Sequence, residues 1–222
     1  MQDLIKHEQF EMEVLEKLYN AKILPKLIFI GGTMLRLCHG LDRYSVDLDF
    51  RLKDKADEIE VFNKTKKLIN DNYAVKHIFN KYFTMLFEFK KESYPRSLKI
   101  EIRKEEKKIK PVKAIAYTSN SNIQVILNVI SLEDMMVKKI NAFLNRTEIR
   151  DAYDLEFLIK KGVKLNLDKN IAEKIKSKIL NLKSNDYKVK LAPLLPTEKR
   201  SYYNKANFRI LLSELDKIIN NI

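Results

Sequence analysis

At 222 residues with 45% hydrophobic content, the chain is too apolar to stay disordered and long enough for one large domain or two small ones. A single cysteine, Cys38, excludes an intrachain disulfide and points to the cytoplasm, while the scattered His7, His39 and His77 give no zinc pattern. The net charge of +13 favours a polyanionic partner, nucleic acid foremost, over the alternative of compositional bias spread evenly across the surface.

Residues 1–8 are charged, with no apolar signal-peptide core, and no apolar run is long enough to cross a membrane, so no membrane partner is expected. Apolar and charged residues at helical spacing over 2–20 predict a first helix packed on a sheet. Beyond Pro25, residues 27–30 read as an apolar strand and 33–39 as a short helix stopped by Gly40. Gly31 and Gly32 therefore fall where a strand gives way to a helix N-terminus. That place suits a phosphate, because glycines admit close backbone approach and first-turn N–H groups lack intrahelical partners.

The run Arg43-Tyr44-Ser45-Val46-Asp47-Leu48-Asp49-Phe50 follows. Alternate side chains of an extended backbone share a face, so Asp47 and Asp49 stand together while Val46, Leu48 and Phe50 turn into a core. Diglycine and acid pair together read as a site for a nucleoside triphosphate carrying Mg²⁺ or Mn²⁺, hard ions that prefer carboxylate and phosphate oxygens.

Further along, 54–72 reads as a helix with Ile59, Phe62, Leu68 and Ile69 inward. Residues 82–90 and 97–103 alternate as strands divided by Tyr94-Pro95, 104–110 as a solvated connection, and 112–118 and 123–130 as further strands. In 98–103 the apolar residues share one face, leaving Glu101 on the other with Lys99 and Arg103. From Ser131 the pattern is helical, with Ser131 and Asp134 resembling a capping box and Gly162 closing a helix over 151–161. Residues 168–182 and 202–219 read as the last helices, with a turn at Pro193 and Pro196 between them. Late basic residues, among them Lys183, Lys190, Arg200, Lys205 and Arg209, lie near Tyr187, Tyr202, Tyr203 and Phe208. These rings could stack on unpaired bases, but Phe208, Leu211, Leu212, Leu215 and Ile218 also read as helix core. The expected architecture is α/β: a mixed sheet with flanking helices over 1–130, a helical domain over 131–222, and an active cleft between them.

Gly31-Gly32 followed by Asp47-x-Asp49 resembles the signature of DNA polymerase β-type nucleotidyltransferases. The fuller run, from Gly31-Gly32-Thr33-x-Leu35 to Arg43-x-Ser45-x-Asp47-Leu48-Asp49-Phe50, is similar to the AbiEii/AbiGii toxin family. A second block, Lys139-x-x-Ala142, Arg146 and Arg150-Asp151-x-x-Asp154-Leu155, resembles that family's helical motif and favours Lys139 over Lys138 as its lysine. Three charges within about one turn, at Arg150, Asp151 and Asp154, are costly unless they pair with one another or with a ligand.

The resemblance implies a toxin that transfers a nucleotide from a nucleoside triphosphate to RNA, the tRNA acceptor end in particular, with a cognate antitoxin as a further partner. It implies catalytic roles for Asp47, Asp49, Glu101, Lys139 and Asp151, with metal on Asp47, Asp49 and Glu101. Nucleotide binding falls to Gly31, Gly32, Thr33, Arg43, Ser45, Lys139, Arg150 and Asp154, the Thr33 hydroxyl donating to a phosphate oxygen. Family members commonly carry Asp where Glu101 stands, so a surface ion pair with a flanking basic residue is its competing role, and Glu88 is the alternative ligand. A protein hydroxyl as acceptor remains an alternative, as does a silent binding module of the same fold, although the presence of both Asp47 and Asp49 argues against silence.

Overall fold

In the computed structural model the alternating segments of the first half resolve into seven strands and the second half is helical; residues 1–104, 109–206 and 208–221 are described, without side chains for 204–206. The expected connection at 104–110 and the basic Lys205 therefore lie partly outside the described residues. Two units divide the chain, Met1–Ser131 and Leu132–Ile222.

The first unit runs α1 (Gln2–Asn20), β1 (Leu27–Ile30), α2 (Gly31–His39), β2 (Asp47–Leu52), α3 (Glu58–Asn72), β3 (Ala74–Asn80), β4 (Thr84–Lys90), β5 (Leu98–Arg103), β6 (Val112–Ala116) and β7 (Val125–Val129). The strands form one mixed sheet in the order β3-β4-β5-β2-β1-β7-β6. β2 pairs parallel with β5 and β1 parallel with β7, the other pairs being antiparallel. Period-two alternation sends Leu48 and Phe50, Leu98, Ile100 and Ile102, and Met85, Phe87 and Phe89 to one fully buried face. α1 and α3 pack on that face, Phe10 meeting Phe89 edge to face at 5.8 Å and Phe62 meeting Phe87 at 5.5 Å. Burying each such ring contributes about 2 kcal/mol.

The second unit contains α4 (Leu132–Arg146), α5 (Ile149–Lys160), α6 (Lys169–Leu180), α7 (Thr197–Ala206) and α8 (Arg209–Asn220) around Phe143, Leu155, Leu158, Ile175, Phe208, Leu211 and Leu215. Among the described residues, no helix of either unit is long and apolar enough to cross a membrane.

Several expectations need correction. Ile59 is exposed, because α3 buries Val61, Thr65 and Ile69 at four-residue spacing and Ile59 falls off that face. Residues 74–80, unassigned from sequence, form the edge strand β3. The expected last helix is two helices, α7 and α8, with Phe208 at φ 59° just before the second. Tyr187, Tyr203 and Phe208 are buried against one another, Tyr203 and Phe208 at 5.3 Å and Tyr187 and Phe208 at 5.9 Å, so these rings are core and not a base-stacking surface.

Candidate active site

β2 carries the acid pair as its alternation requires: Leu48 and Phe50 are buried, whereas Asp47 and Asp49 are half-buried on the opposite face. The parallel register sets Lys99 beside Asp47 and Glu101 beside Asp49. The Lys99 ammonium lies 3.2 Å from the Asp47 carboxylate, whose side chain is 38% exposed. Burial alone would lower the Lys99 pKa, but the charges of Asp47, Asp49 and Glu101 outweigh it and hold it above the usual value. Glu101 pairs with Arg103 at 3.3 Å. Glu88 lies one strand further from Asp47, opposite Lys99, and pairs with Lys76 at 3.6 Å, which leaves Glu101 as the acid adjoining Asp49.

Among the described residues no three of these groups converge into a formed metal-ion shell. The donor set is nevertheless suited to one. Asp47, Asp49 and Glu101 occupy adjacent register positions on one face and offer only carboxylate oxygen, and a lysine ammonium already sits at Asp47 where a hard cation would bind.

The diglycine is shaped by this face. Gly31 has φ +86°, and a Cβ there would lie 2.6 Å from Asp49 Oδ2; one on Gly32 would lie 2.6 Å from the Arg43 guanidinium and 2.8 Å from Ser45 Oγ. A side chain at Gly31 would be strained by the left-handed backbone and would crowd Asp49, whereas one at Gly32 would displace the tips of Arg43 and Ser45, so the diglycine lets all three close on the start of α2. Arg43 is buried and donates to the Tyr44 carbonyl at 3.0 Å. The buried Thr33 hydroxyl donates to the Asp47 carbonyl at 2.6 Å, which ties α2 to β2.

Behind the acid strand lies a polar cluster that the sequence reading missed. His7 donates through Nε2 to the Val46 carbonyl at 2.8 Å. Glu8 accepts from Arg36, Thr118 and Asn120. Glu11 is fully buried and neither oxygen is in hydrogen-bond geometry among the described residues, the nearby Thr33 hydroxyl being turned to Asp47. Burial and then the charge of Glu8 push the Glu11 carboxyl well above its usual range, while burial pulls the His7 imidazole down. Both shifts favour the uncharged forms, which weakens their 3.8 Å contact as an ion pair. A signal existed: Leu4, His7, Glu11, Val14 and Leu18 recur at three- and four-residue spacing, which puts two titratable residues in an apolar stripe.

In the second unit α4 and α5 bring Lys139, Arg146, Asp151 and Asp154 together. Lys139 is buried and reaches Asp151 at 3.0 Å and Asp154 at 2.6 Å. Arg146 grips Asp151 with two bonds, at 2.7 and 2.8 Å. Burial would raise the Asp151 carboxyl, but the Arg146 bonds and the Lys139 charge outweigh it and hold it below the usual range. Lys138, on the adjoining position, is only half-buried, and Arg150 is likewise half-buried. Asp151 and Asp154 thus pair with Lys139 and Arg146 within the unit.

The sequence profile of the family described as "Nucleotidyl transferase AbiEii toxin, Type IV TA system" matches residues 13–216. No curated protein matches the chain. Among solved structures, the chain is similar to JHP933 from Helicobacter pylori, with 19% identity, TM-score 0.53, and 95% of this chain and 96% of that one covered. It is also similar to MenT4, the nucleotidyltransferase toxin Rv2826c from Mycobacterium tuberculosis H37Rv, with 16% identity, TM-score 0.51, and coverage of 94% and 85%. At these identities the two structures speak for the fold.

Proposed function

The chain belongs to the AbiEii nucleotidyl transferase toxin family of type IV toxin–antitoxin systems, and from that premise we propose that it transfers a nucleotide from a nucleoside triphosphate to RNA, at the tRNA acceptor end, in a metal-dependent reaction. As a nucleotidyltransferase it uses a nucleoside triphosphate. The observation that carries the site assignment is Asp49 packed on Gly31, with Asp47 on the same face and Glu101 in the adjoining register position.

In this reading an acceptor hydroxyl oxygen bonds to the α-phosphorus while the bond to pyrophosphate breaks. Asp47, Asp49 and Glu101 would hold Mg²⁺ or Mn²⁺, which supplies positive charge to the leaving oxygens and makes the attacking hydroxyl more acidic. Gly31 and Gly32 present the N-terminal amides of α2 to the phosphates, and Arg43 and Ser45 brace that turn through Gly32. Thr33 acts as a positioning residue by holding the Asp47 backbone. Lys99, kept protonated, balances the acids before substrate arrives. In the second unit, Asp151 and Asp154 orient Lys139 for the phosphate-side role that the family motif implies, and Arg150 takes the same nucleotide-side role.

The test is incubation of the protein and Mg²⁺ with four α-labelled triphosphates and total RNA or protein lysate. Label in a small RNA, with one triphosphate preferred and with loss on chelation, is the expected result. Label in the protein fraction alone would replace RNA with a protein hydroxyl as acceptor, and transfer that persists after chelation would remove the metal.

A further inference from the structure

The carboxylate face of the sheet extends beyond the site to aromatic rings that the transfer chemistry does not use. Register aligns Asp49, Glu101, Leu86 and Phe79 in one row and Asp47, Lys99, Glu88 and His77 in the next. Directly paired residues point to the same face, so Phe79 and His77 share the face of the acids, three strand spacings or roughly 14 Å away. Both are exposed, and their rings stack at 5.8 Å with 14° between planes, with the Lys81 ammonium 5.5 Å from the Phe79 ring. At the turn between β3 and β4, Tyr82 and Phe83 are 85% and 73% exposed and meet edge to face at 4.6 Å.

These rings are held out by construction. The Lys104 side chain is only 8% exposed and donates to Glu58 at 2.7 Å and to Asn80 and the Lys81 carbonyl at 2.6 Å each. Its backbone N–H meets the Phe83 carbonyl at 3.0 Å. A turn pinned from beneath keeps its aromatic pair in water at a loss of burial energy, which marks a surface that meets something.

We propose that the β3–β4 hairpin is a stacking platform for unpaired bases of the RNA acceptor, a proposal that rests on the RNA reading given above. Every base has a π-face, and aromatic rings interleaved with cations bind single strands with little sequence preference. Lys76 and Lys81 flank the rings, and the acid in the His77 row, Glu88, is offset by Lys76. A bound strand crossing this face would lead directly to Asp47 and Asp49. The free edge of β3 is less suited to a protein that adds a strand, because the register is broken between Val75 and His77 and Lys76 lies at that break.

The test measures binding of a fluorescein-labelled single-stranded RNA oligonucleotide to the full chain by anisotropy, alongside label transfer to RNA. The Phe79→Ala/Tyr82→Ala/Phe83→Ala variant, and Tyr82→Ala alone as a variant of a largely solvated turn residue, should bind roughly tenfold or more weakly and twofold or more weakly respectively. Tyr82→Phe and Phe79→Tyr, which keep the rings, should bind as the unaltered chain does. Unchanged affinity in both alanine variants, with RNA still labelled, overturns the platform and leaves the RNA acceptor standing. Label found only in protein, with no RNA binding by the unaltered chain, overturns both.

Discussion

The molecule carries two constellations of carboxylates and cations, and they are built in opposite ways. In the second unit Asp151 and Asp154 are fully buried, and Lys139 and Arg146 meet them at close range. In the first, Asp47 and Glu101 stay open to solvent and hold their cations more loosely, Lys99 at 3.2 Å and Arg103 at 3.3 Å. Buried charge must be matched within the fold or it destabilises it. Half-open charge keeps the capacity to exchange a lysine for another cation. On the function proposed above, the first constellation is the reactive one, and the second fixes the position of Lys139.

The sharpest way to break this contrast is to exchange one charge in each place. Asp49→Asn, or Asp47→Asn, should reduce nucleotide transfer by roughly a hundredfold or more while changing unfolding free energy by no more than about 0.5 kcal/mol. Lys139→Ala should cost about 3 kcal/mol or more in urea unfolding, since it leaves two buried carboxylates short of a partner, whereas Lys138→Ala should be nearly neutral in both stability and transfer. Equal stability for the two lysine variants would mean that the buried carboxylates do not depend on Lys139, and the contrast with the open acids would fall.

Gly31→Ala should come next. The left-handed backbone and the 2.6 Å approach to Asp49 together imply a loss of about 1–2 kcal/mol, with a fall in transfer larger than that stability change alone explains. Transfer at the unaltered rate would separate the diglycine from the acid pair.

The smallest effects concern pH, where the two regions carry opposite signs. The Asp151 carboxyl is lower in the fold than in the unfolded chain, so its contribution is present above the unfolded value near 3.9 and is lost as pH falls through the folded one. Glu11 is raised. From the unfolded value near 4.3 up to its folded value the native chain retains a proton that the unfolded chain has released, so stability declines as pH rises across that window. Urea titrations from pH 4 to 8 should show this decline flattened in Glu11→Gln, and a slope unchanged from the parent would refute a neutral buried Glu11.

Much of this was readable in the residues. The alternation around Leu48, the diglycine and the 98–103 strand located the acid face and its neighbours, because strict period-two patterning admits one face for each residue. β3 is not legible because an edge strand exposed along most of its length shows no buried alternation, and His77 reads as a scattered histidine without the register that aligns it with Asp47. The tie from Thr33 to the Asp47 carbonyl is not legible in sequence, because hydroxyls near glycine turns serve backbone and ligand alike. Glu11 was passed over as one charge among many on a charged helix, although its place in the apolar stripe distinguished it.

Transfer of the α-phosphate to RNA at the Asp47–Asp49 face is tested most directly by parallel reactions with α-labelled and γ-labelled triphosphate, Mg²⁺ and RNA, run with the unaltered chain and with Asp49→Asn. The expected result is label in RNA from the α position only, abolished by the substitution while the variant remains folded. Label arriving from the γ position, or α-label transferred equally by Asp49→Asn, would contradict it.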